Sequence, residues 1–260
     1  MLFLLQGEFI MELHGKVALI TGASSGMGTS IAKVLGNEGV HLALVGRNLK
    51  RLTSVVNEIN AAGGDAKPFT ADLRFGDQVD KMVYDVISIF GQIDILVNSA
   101  FWGPPASIEE TTEKFWDQTL DSTLKSAFLC TRAVVPFMKK NGSGRIVNIG
   151  SIAGKVGEDN RTAYCAAKWG LEGLNAALTV ELSKYNIHVH LISPAATDTP
   201  FWREVGAVLT PQVLERMIPP EVIGQTVRWV LMQPDQINIA DVPIHNFRNP
   251  FEGKSSPFES

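Results

Sequence analysis

Short apolar runs alternate with longer, helix-spaced stretches along nearly the whole chain. The runs are Lys16–Thr21 (KVALIT), His41–Gly46 (HLALVG), Ala66–Thr70, Ile93–Asn98 (IDILVN), Arg145–Gly150 (RIVNIG) and Ile187–Ser193 (IHVHLIS), with a weaker seventh at Ile239–Ile244. Their apolar residues are continuous rather than alternating, as parallel strands covered on both faces require. Helix-length segments separate them: Met27–Gly39, Leu49–Ala62, Asp77–Phe90, Thr112–Lys140 and Thr162–Tyr185. Parallel neighbours need crossovers, and right-handed crossovers produce a doubly wound sheet. The pattern therefore predicts an α/β fold, a mostly parallel sheet of about seven strands with helices on both faces. No Pro/Ser-rich linker or low-complexity tract interrupts it, so one domain is expected over 11–245. Residues 1–10 read as a flexible arm, or as a stretch upstream of a start at Met11, and 246–260 as a tail.

Composition narrows this further. With 45% hydrophobic and 19% charged residues, 260 residues can bury a core without disulfides. A net charge of −4 and the absence of a basic run argue against a nucleic-acid partner. Cys130 and Cys165 cannot build a disulfide framework, which makes a reducing cytoplasm the expected location. Met1–Ile10 is apolar but lacks a cationic start, and Gln6, Gly7 and Glu8 break it too early for a signal-peptide core of about 7–15 residues. No run approaches the roughly 20 apolar residues of a membrane span, so no membrane partner is expected.

In doubly wound sheets ligands bind beyond the carboxyl ends of the strands, where strand order reverses. The chemistry-bearing residues fall at such ends. After the first strand comes Thr21-Gly22-Ala23-Ser24-Ser25-Gly26-Met27-Gly28, leading into a helix. Glycines permit a tight turn and close backbone approach, and the helix amino terminus offers free N–H groups to a diphosphate. After the second strand stand Gly46, Arg47 and Asn48. An acid there would grip ribose hydroxyls and repel a 2′-phosphate. A guanidinium in its place favours that phosphate, so NADP(H) rather than NAD(H) is expected.

Tyr164-Cys165-Ala166-Ala167-Lys168 sits in a helical pattern, which puts Tyr164 and Lys168 on one face with Cβ atoms about 5–6 Å apart. A tyrosine near pKa 10 is a poor proton carrier at neutral pH, and an adjacent ammonium would lower that value. Ser151, thirteen residues earlier at the end of the fifth run, could hold a substrate oxygen.

Together, TGxxxGxG, Ser151 and YxxxK resemble the short-chain dehydrogenase/reductase family, with the likeness continuing through Thr199. The resemblance implies a single-domain Rossmann fold that moves a hydride between NADP(H) and a carbonyl or secondary alcohol. It places Ser24, Ser25 and Met27 along the diphosphate and adenosine, Asp72 and Leu73 against adenine, and Asn98 and Ala100 beside the ribose. Lys168 would hold the nicotinamide ribose. Pro194-Ala195-Ala196-Thr197-Asp198-Thr199 looks like the family's PGxxxT segment, with Thr199 on the carboxamide and Pro194 and Thr197 nearby.

Three departures stand out. Thr123 occupies the position of the family's catalytic asparagine, which serves a proton relay. Asn98-Ser99-Ala100-Phe101 replaces NNAG, and Pro194-Ala195 replaces PG. Thr123 and Phe101 motivate a rival reading: an NADP(H)-binding protein of low activity that acts as a redox-responsive partner. His188 and His190 share one strand face, but a metal site would need a third ligand, and a packed strand is the better account. Asp94 is expected to support the sheet. Residues 200–217, with Phe201 and Trp202, read as a mobile substrate lid. With Phe101 and Trp102 opposite, an apolar pocket for a small carbonyl or alcohol is expected. Apolar residues on the outer faces of two long helices, Phe115, Trp116 and Leu120 with Leu171, Leu174 and Leu178, point to a homodimer or homotetramer.

Overall fold

A computed structural model describes residues 12–252; the expected arm at 1–10 and residues 253–260 lie outside the described residues. The apolar runs form β1 (Val17–Thr21), β2 (His41–Gly46), β3 (Asp65–Thr70), β4 (Ile95–Asn98), β5 (Gly144–Ile149), β6 (Ile187–Pro194) and β7 (Asp241–Ile244). β1, β4 and β5 are buried along their full length, as strands with neighbours on both edges and helices on both faces must be. The sheet order is β3-β2-β1-β4-β5-β6-β7 and every pairing is parallel. The weak seventh run is the β7 edge, paired with β6 from Leu191↔Asp241 to Pro194↔Ile244.

The helices are α1 (Gly26–Asn37), α2 (Leu49–Ala61), α3 (Gly76–Phe90), α4 (Glu113–Leu120), α5 (Ser126–Asn141), α6 (Thr162–Leu182), α7 (Pro200–Glu204), α8 (Pro211–Arg216) and α9 (Pro220–Leu231). They make two cores, one on each face. Ala18 and Ile20 of β1 meet Ile31 and Leu35 of α1, Leu52 of α2 and Val227 of α9 on one side. Leu19, between them in sequence, meets Val83 of α3 and Val134 of α5 on the other. This is the period-2 alternation of a strand, with both sides apolar because both are covered.

The sequence pattern differs from the structure in three places. The stretch expected as one helix over Thr112–Lys140 is broken by a π-helical turn at Asp121–Lys125 between α4 and α5. There Thr123 is buried, and its hydroxyl accepts from the Trp102 N–H at 3.4 Å and donates to the Trp102 carbonyl at 3.3 Å. Leu124 packs against Gly170 of α6, where a Cβ would come within 2.6 Å of its methyl. Such π-turns often mark functional sites.

The second difference is α9, which the sequence pattern did not single out. Pro220 stands in its first turn, and Ile223, Val227, Val230 and Leu231 form a buried face against α1. Third, Leu171 is not on an outer face: it is 2% exposed and belongs to the subunit's own packing. Leu178 also packs on the second core, while Phe128 of α5 and Trp169 and Val180 of α6 are the exposed large apolar side chains there.

Asp94 supports the sheet as expected, accepting from the Val17 N–H at 2.8 Å and the Gln92 amide at 2.9 Å. Among the described residues no helix is long and apolar enough to cross a membrane.

Candidate active site

Strand order reverses between β1 and β4, and their carboxyl ends are tied together by one side chain. The Thr21 hydroxyl donates to the Val97 carbonyl at 3.3 Å and accepts from the Ser99 and Ala100 N–H groups at 3.0 and 3.1 Å. The glycine turn after β1 lies directly on that loop. Gly22 has φ +65°, and a Cβ there would sit 2.9 Å from the Ala100 backbone. Gly28 is packed tighter still, with the Gly22 carbonyl oxygen 2.3 Å from where its Cβ would be.

The crevice that results is lined by Gly22, Ser24, Ser25, Gly26, Met27 and Gly28, by Arg47, Asp72 and Leu73, and by Ala100 and Thr199. Ser25 stands at the N-cap of α1 without using its side chain to cap it, leaving first-turn N–H groups for another acceptor. At the far end three arginines gather. Arg51 pairs with Glu204 at 3.1 Å, and Arg74 forks onto Asp72 with contacts of 2.6 to 3.1 Å. Arg74 holds the Asp72 carboxyl below its usual range, against the opposing effect of burial. Arg47 is exposed and makes no hydrogen bond among the described residues. Uncapped amides in the middle and guanidinium groups at one end fit a phosphorylated dinucleotide. Arg51 and Arg74 were not anticipated; as arginines at a helix start and a loop, they look solvated until the fold brings them to one cleft.

Some expected residues stand elsewhere. Asn48 caps α2, accepting from the Arg51 N–H at 3.0 Å. Asn98 is buried behind the crevice, donating to Thr131 Oγ1 at 3.2 Å and Asn148 Oδ1 at 2.9 Å. Thr123 and Lys168 line neither this crevice nor its neighbour, and Pro194 and Thr197 border the neighbour.

That neighbouring cavity, of about 570 Å³, is lined by the hydroxyl side chains of Ser151 and Tyr164. Ser151 follows β5, its hydroxyl accepting from the Ala153 N–H at 3.1 Å. Tyr164 lies in the first turn of α6 and is 9% exposed. Its ring is held by the Arg161 guanidinium at 4.1 Å, by Phe101 at 6.0 Å, and by Gly103, where a Cβ would lie 2.9 Å from ring Cδ2. Lys168, one turn on, donates to the Ile149 carbonyl at 2.8 Å.

The electrostatics differ from the expectation. Burial raises the Tyr164 pKa, and the opposing pulls of Arg161 and the Ser151 hydrogen bond do not overcome it. Lys168, expected to lower that pKa, is itself pushed down to about 7, first by burial and then by the Arg161 charge. Arg161 is thus the cation nearest the tyrosine. The sequence contained a signal for it, a position three before Tyr164 and so on the same helical face.

The cavity is also less apolar than expected. Phe101, Phe201, Trp202 and Phe251 give it aromatic walls, but Arg161, His245, Asn246 and Asn249 line it too. Phe101 and Phe201, with centroids 5.1 Å apart, border both cavities and stand at their junction. Part of the segment beyond residue 245 is wall. Asn246 donates to the Ala196 and Arg216 carbonyls at 3.0 and 2.9 Å, and Phe251 packs on Trp202 at 5.3 Å. His190 is fully buried, with Nδ1 2.9 Å from the Ile239 carbonyl and a pKa pushed down to about 4 by burial.

A crevice of this kind beside a Ser–Tyr pair on a seven-stranded parallel sheet defines the class, and comparison with known proteins gives the family. The profile described as short chain dehydrogenase matches residues 16–209, and the chain belongs to that family. The dehydrogenase subunit BbsD of Thauera aromatica, named for a hydroxy(phenyl)methyl succinyl-CoA, is 37% identical over 85% of this chain and 90% of its own. A 3beta-hydroxysteroid dehydrogenase of Mediterraneibacter gnavus is 35% identical over 80% of this chain and 76% of its own. A metagenomic short-chain oxidoreductase solved in complex with NADP superposes with a TM-score of 0.79 at 32% identity, covering 92% of this chain and all of the other. The chain is therefore an oxidoreductase-family enzyme, with relatives named for unlike substrates.

The buried ammonium yields a test. Lys168 titrates at about 7 when folded against 10.5 ordinarily, so between those values the unfolded chain holds a proton that the folded chain does not. Stability must then rise with pH across that window, and below about 7 the cost of the buried charge is present in full. Lys168→Met is expected to raise the nucleotide-free melting temperature at pH 6 and to flatten its rise between pH 7 and 10. A lower melting temperature at pH 6 with the slope retained would contradict the assignment.

Proposed function

We propose that this chain is an NADP(H)-dependent oxidoreductase interconverting a carbonyl and a secondary alcohol at the Ser151–Tyr164 pair. The observation that carries the reading is that these two hydroxyl side chains line one cavity, which shares Phe101, Phe201 and Thr199 with a crevice fitted to a dinucleotide. NADP(H), when bound, supplies or accepts the hydride. The chain's residues manage the oxygen and its proton. Ser151 and Tyr164 hold the carbonyl oxygen, and Tyr164 gives it a proton as negative charge develops there. Burial keeps the phenol protonated until that moment, while the Arg161 guanidinium, 4.1 Å from the ring centroid, stabilises the phenolate left behind. Lys168 lies 5.7 Å from the same centroid and, by likeness to the family, serves the nicotinamide ribose. Alcohol oxidation uses the same groups in reverse. The rival of a weakly active binding protein has no comparable observation, because its motive at Thr123 is met by the bond to Trp102.

Cofactor preference rests on the arginine cluster without an acid at the end of β2. Arg47 is the member with no hydrogen bond to give up before it meets a 2′-phosphate. Phe128, Trp169 and Val180 leave an exposed apolar face on α5 and α6, which supports assembly into a homodimer or homotetramer through those helices.

Tyr164→Phe is expected to cut turnover of aldehydes and ketones by about 10²-fold or more while NADPH binding holds within about twofold. Turnover within a few-fold of the parent would show that another group supplies the proton. NADP(H) should bind more tightly than NAD(H), and Arg47→Ala should narrow the gap by about 1–3 kcal/mol; equal affinities in the parent would remove the NADP reading. Sedimentation equilibrium should show a multiple of 28.3 kDa at micromolar concentration, and a single-subunit mass would refute the assembly.

A further inference from the structure

We propose that Arg161 makes this cavity a site for anionic carbonyl substrates, pairing with a substrate carboxylate while Ser151 and Tyr164 hold the neighbouring carbonyl oxygen. This rests on the oxidoreductase reading and adds a substrate class to it.

Arg161 is a buried cation whose hydrogen-bonding capacity is unmet. Arg161 is 9% exposed, and buried charges are costly unless paired and hydrogen-bonded. Yet its side chain makes no hydrogen bond among the described residues, and its buried Nε is without a partner. The nearest carboxylate, Glu158, stands 3.9 Å away, beyond hydrogen-bond reach, with its side chain 43% exposed and largely hydrated. An arginine carries five N–H donors in a rigid fork. Here the face of that fork is used, over Tyr164 at 4.1 Å and Phe201 at 5.8 Å. Stacking on rings fixes the plane and accounts for part of the cost, but it leaves the donor edges unsatisfied.

What those edges can reach is the cavity shared with Ser151 and Tyr164, which Arg161 lines. A carboxylate matches the fork with two parallel charge-assisted bonds. Glu158 and Asp159 also border the cavity but are exposed, so solvent weakens their field more than that of the buried guanidinium. Phe101, Trp202 and Phe251 offer aromatic surface to the rest of the ligand. The class indicated is an oxo or hydroxy acid with an apolar, aryl-sized body and its carboxylate close to the reacting carbon.

A competing account gives Arg161 only a positioning role, through its charge on Tyr164. The two diverge in the ratio of anionic to neutral substrate turnover. In the NADPH-loaded protein, phenyl-substituted 2-, 3- and 4-oxo acids are compared with their methyl esters by kcat/KM. At least one acid should exceed its ester by about tenfold or more. Arg161→Gln and Arg161→Met should slow both through the charge lost beside Tyr164, and should lower the acid by about tenfold or more beyond the ester, so that the preference disappears. Ester and acid falling by the same factor, or a parent enzyme that favours every ester, would overturn the proposal, and the second result needs no variant. A binding measurement separates this from the reaction itself. Calorimetry of 4-phenylbutanoate on the NADP+-loaded protein should show binding that 4-phenylbutanamide lacks and that weakens by about tenfold or more in Arg161→Gln. If no carbonyl is turned over while this dependence holds, the reaction assignment fails and the anion site stands. Equal binding of acid and amide would remove the anion site whatever the turnover.

Discussion

The pairing of β1 with β4 is the constraint on which the rest of the site depends. Parallel strands cannot be joined by hairpins, so each connection crosses over and all carboxyl ends gather at one edge of the sheet. Because the order runs outward in both directions from this pair, the connections leave to opposite faces and a crevice opens between them. Thr21 fixes its width, with one hydroxyl serving the Val97 carbonyl and two amides of the loop after β4. That closeness is also why glycine occupies position 22: a side chain there would strike the Ala100 backbone. Placing the two loops in contact builds the dinucleotide crevice and at the same time delivers Phe101 and Gly103 to the face of Tyr164.

At Tyr164 two opposed effects set the chemistry. Enclosure raises the phenol's pKa, and nearby positive charge lowers it, with enclosure winning. The same enclosure pushes Lys168 down to about 7, so burial weakens the cation that sequence logic assigns to the tyrosine. A guanidinium resists this because its intrinsic pKa is far higher and its charge is spread over a plane that can lie on aromatic rings. Burial thus favours the neutral phenol, and the Arg161 guanidinium lies 4.1 Å from its ring, as the proposed proton transfer needs.

Much of this was legible in the chain. The strands were readable because parallel strands buried on both faces leave continuous apolar runs, and β2 was read with the bounds the structure gives it. The glycine turn, Ser151 and Tyr164 were readable because short spacings on one strand end or one helix face survive any tertiary detail. What escaped depends on contacts between distant segments. The π-turn at Asp121–Lys125 belongs to the Thr123–Trp102 and Leu124–Gly170 contacts, and α4 and α5 read as one helix without them. Lys168 looked like the tyrosine's cation because helical spacing is visible and burial is not. Residues 246–252 looked like a tail because Asn246 and Phe251 find Ala196, Arg216 and Trp202 only in three dimensions. Arg161 and α9 are different cases, since helical spacing and a proline start were there to be read.

The division between what was readable and what was not also separates rigid parts from adaptable ones. Ser151 and Tyr164 sit at a strand end and in a helix, where packing fixes rotamers and holds the geometry that the proposed proton transfer needs. The cavity walls come from elsewhere: Phe101 from the loop after β4, Phe201 and Trp202 from the five-residue α7, and Phe251 from beyond β7. These segments join the fold through a few ring contacts and carbonyl hydrogen bonds, so their rearrangement disturbs neither core. Phe101 and Phe201 meet at 5.1 Å where the crevice and the cavity adjoin, which puts that junction under the control of wall segments. Substrate choice can then change without disturbing the sheet or the hydroxyl pair. Arg161 lies on the boundary between the two regimes, at the N-cap of α6 with its guanidinium over the rings of Tyr164 and Phe201. A charge in that position lies on the ring of the proposed proton donor and lines the cavity at once. A substrate anion bound there would therefore change the field at Tyr164 as it docks, coupling recognition to the chemistry.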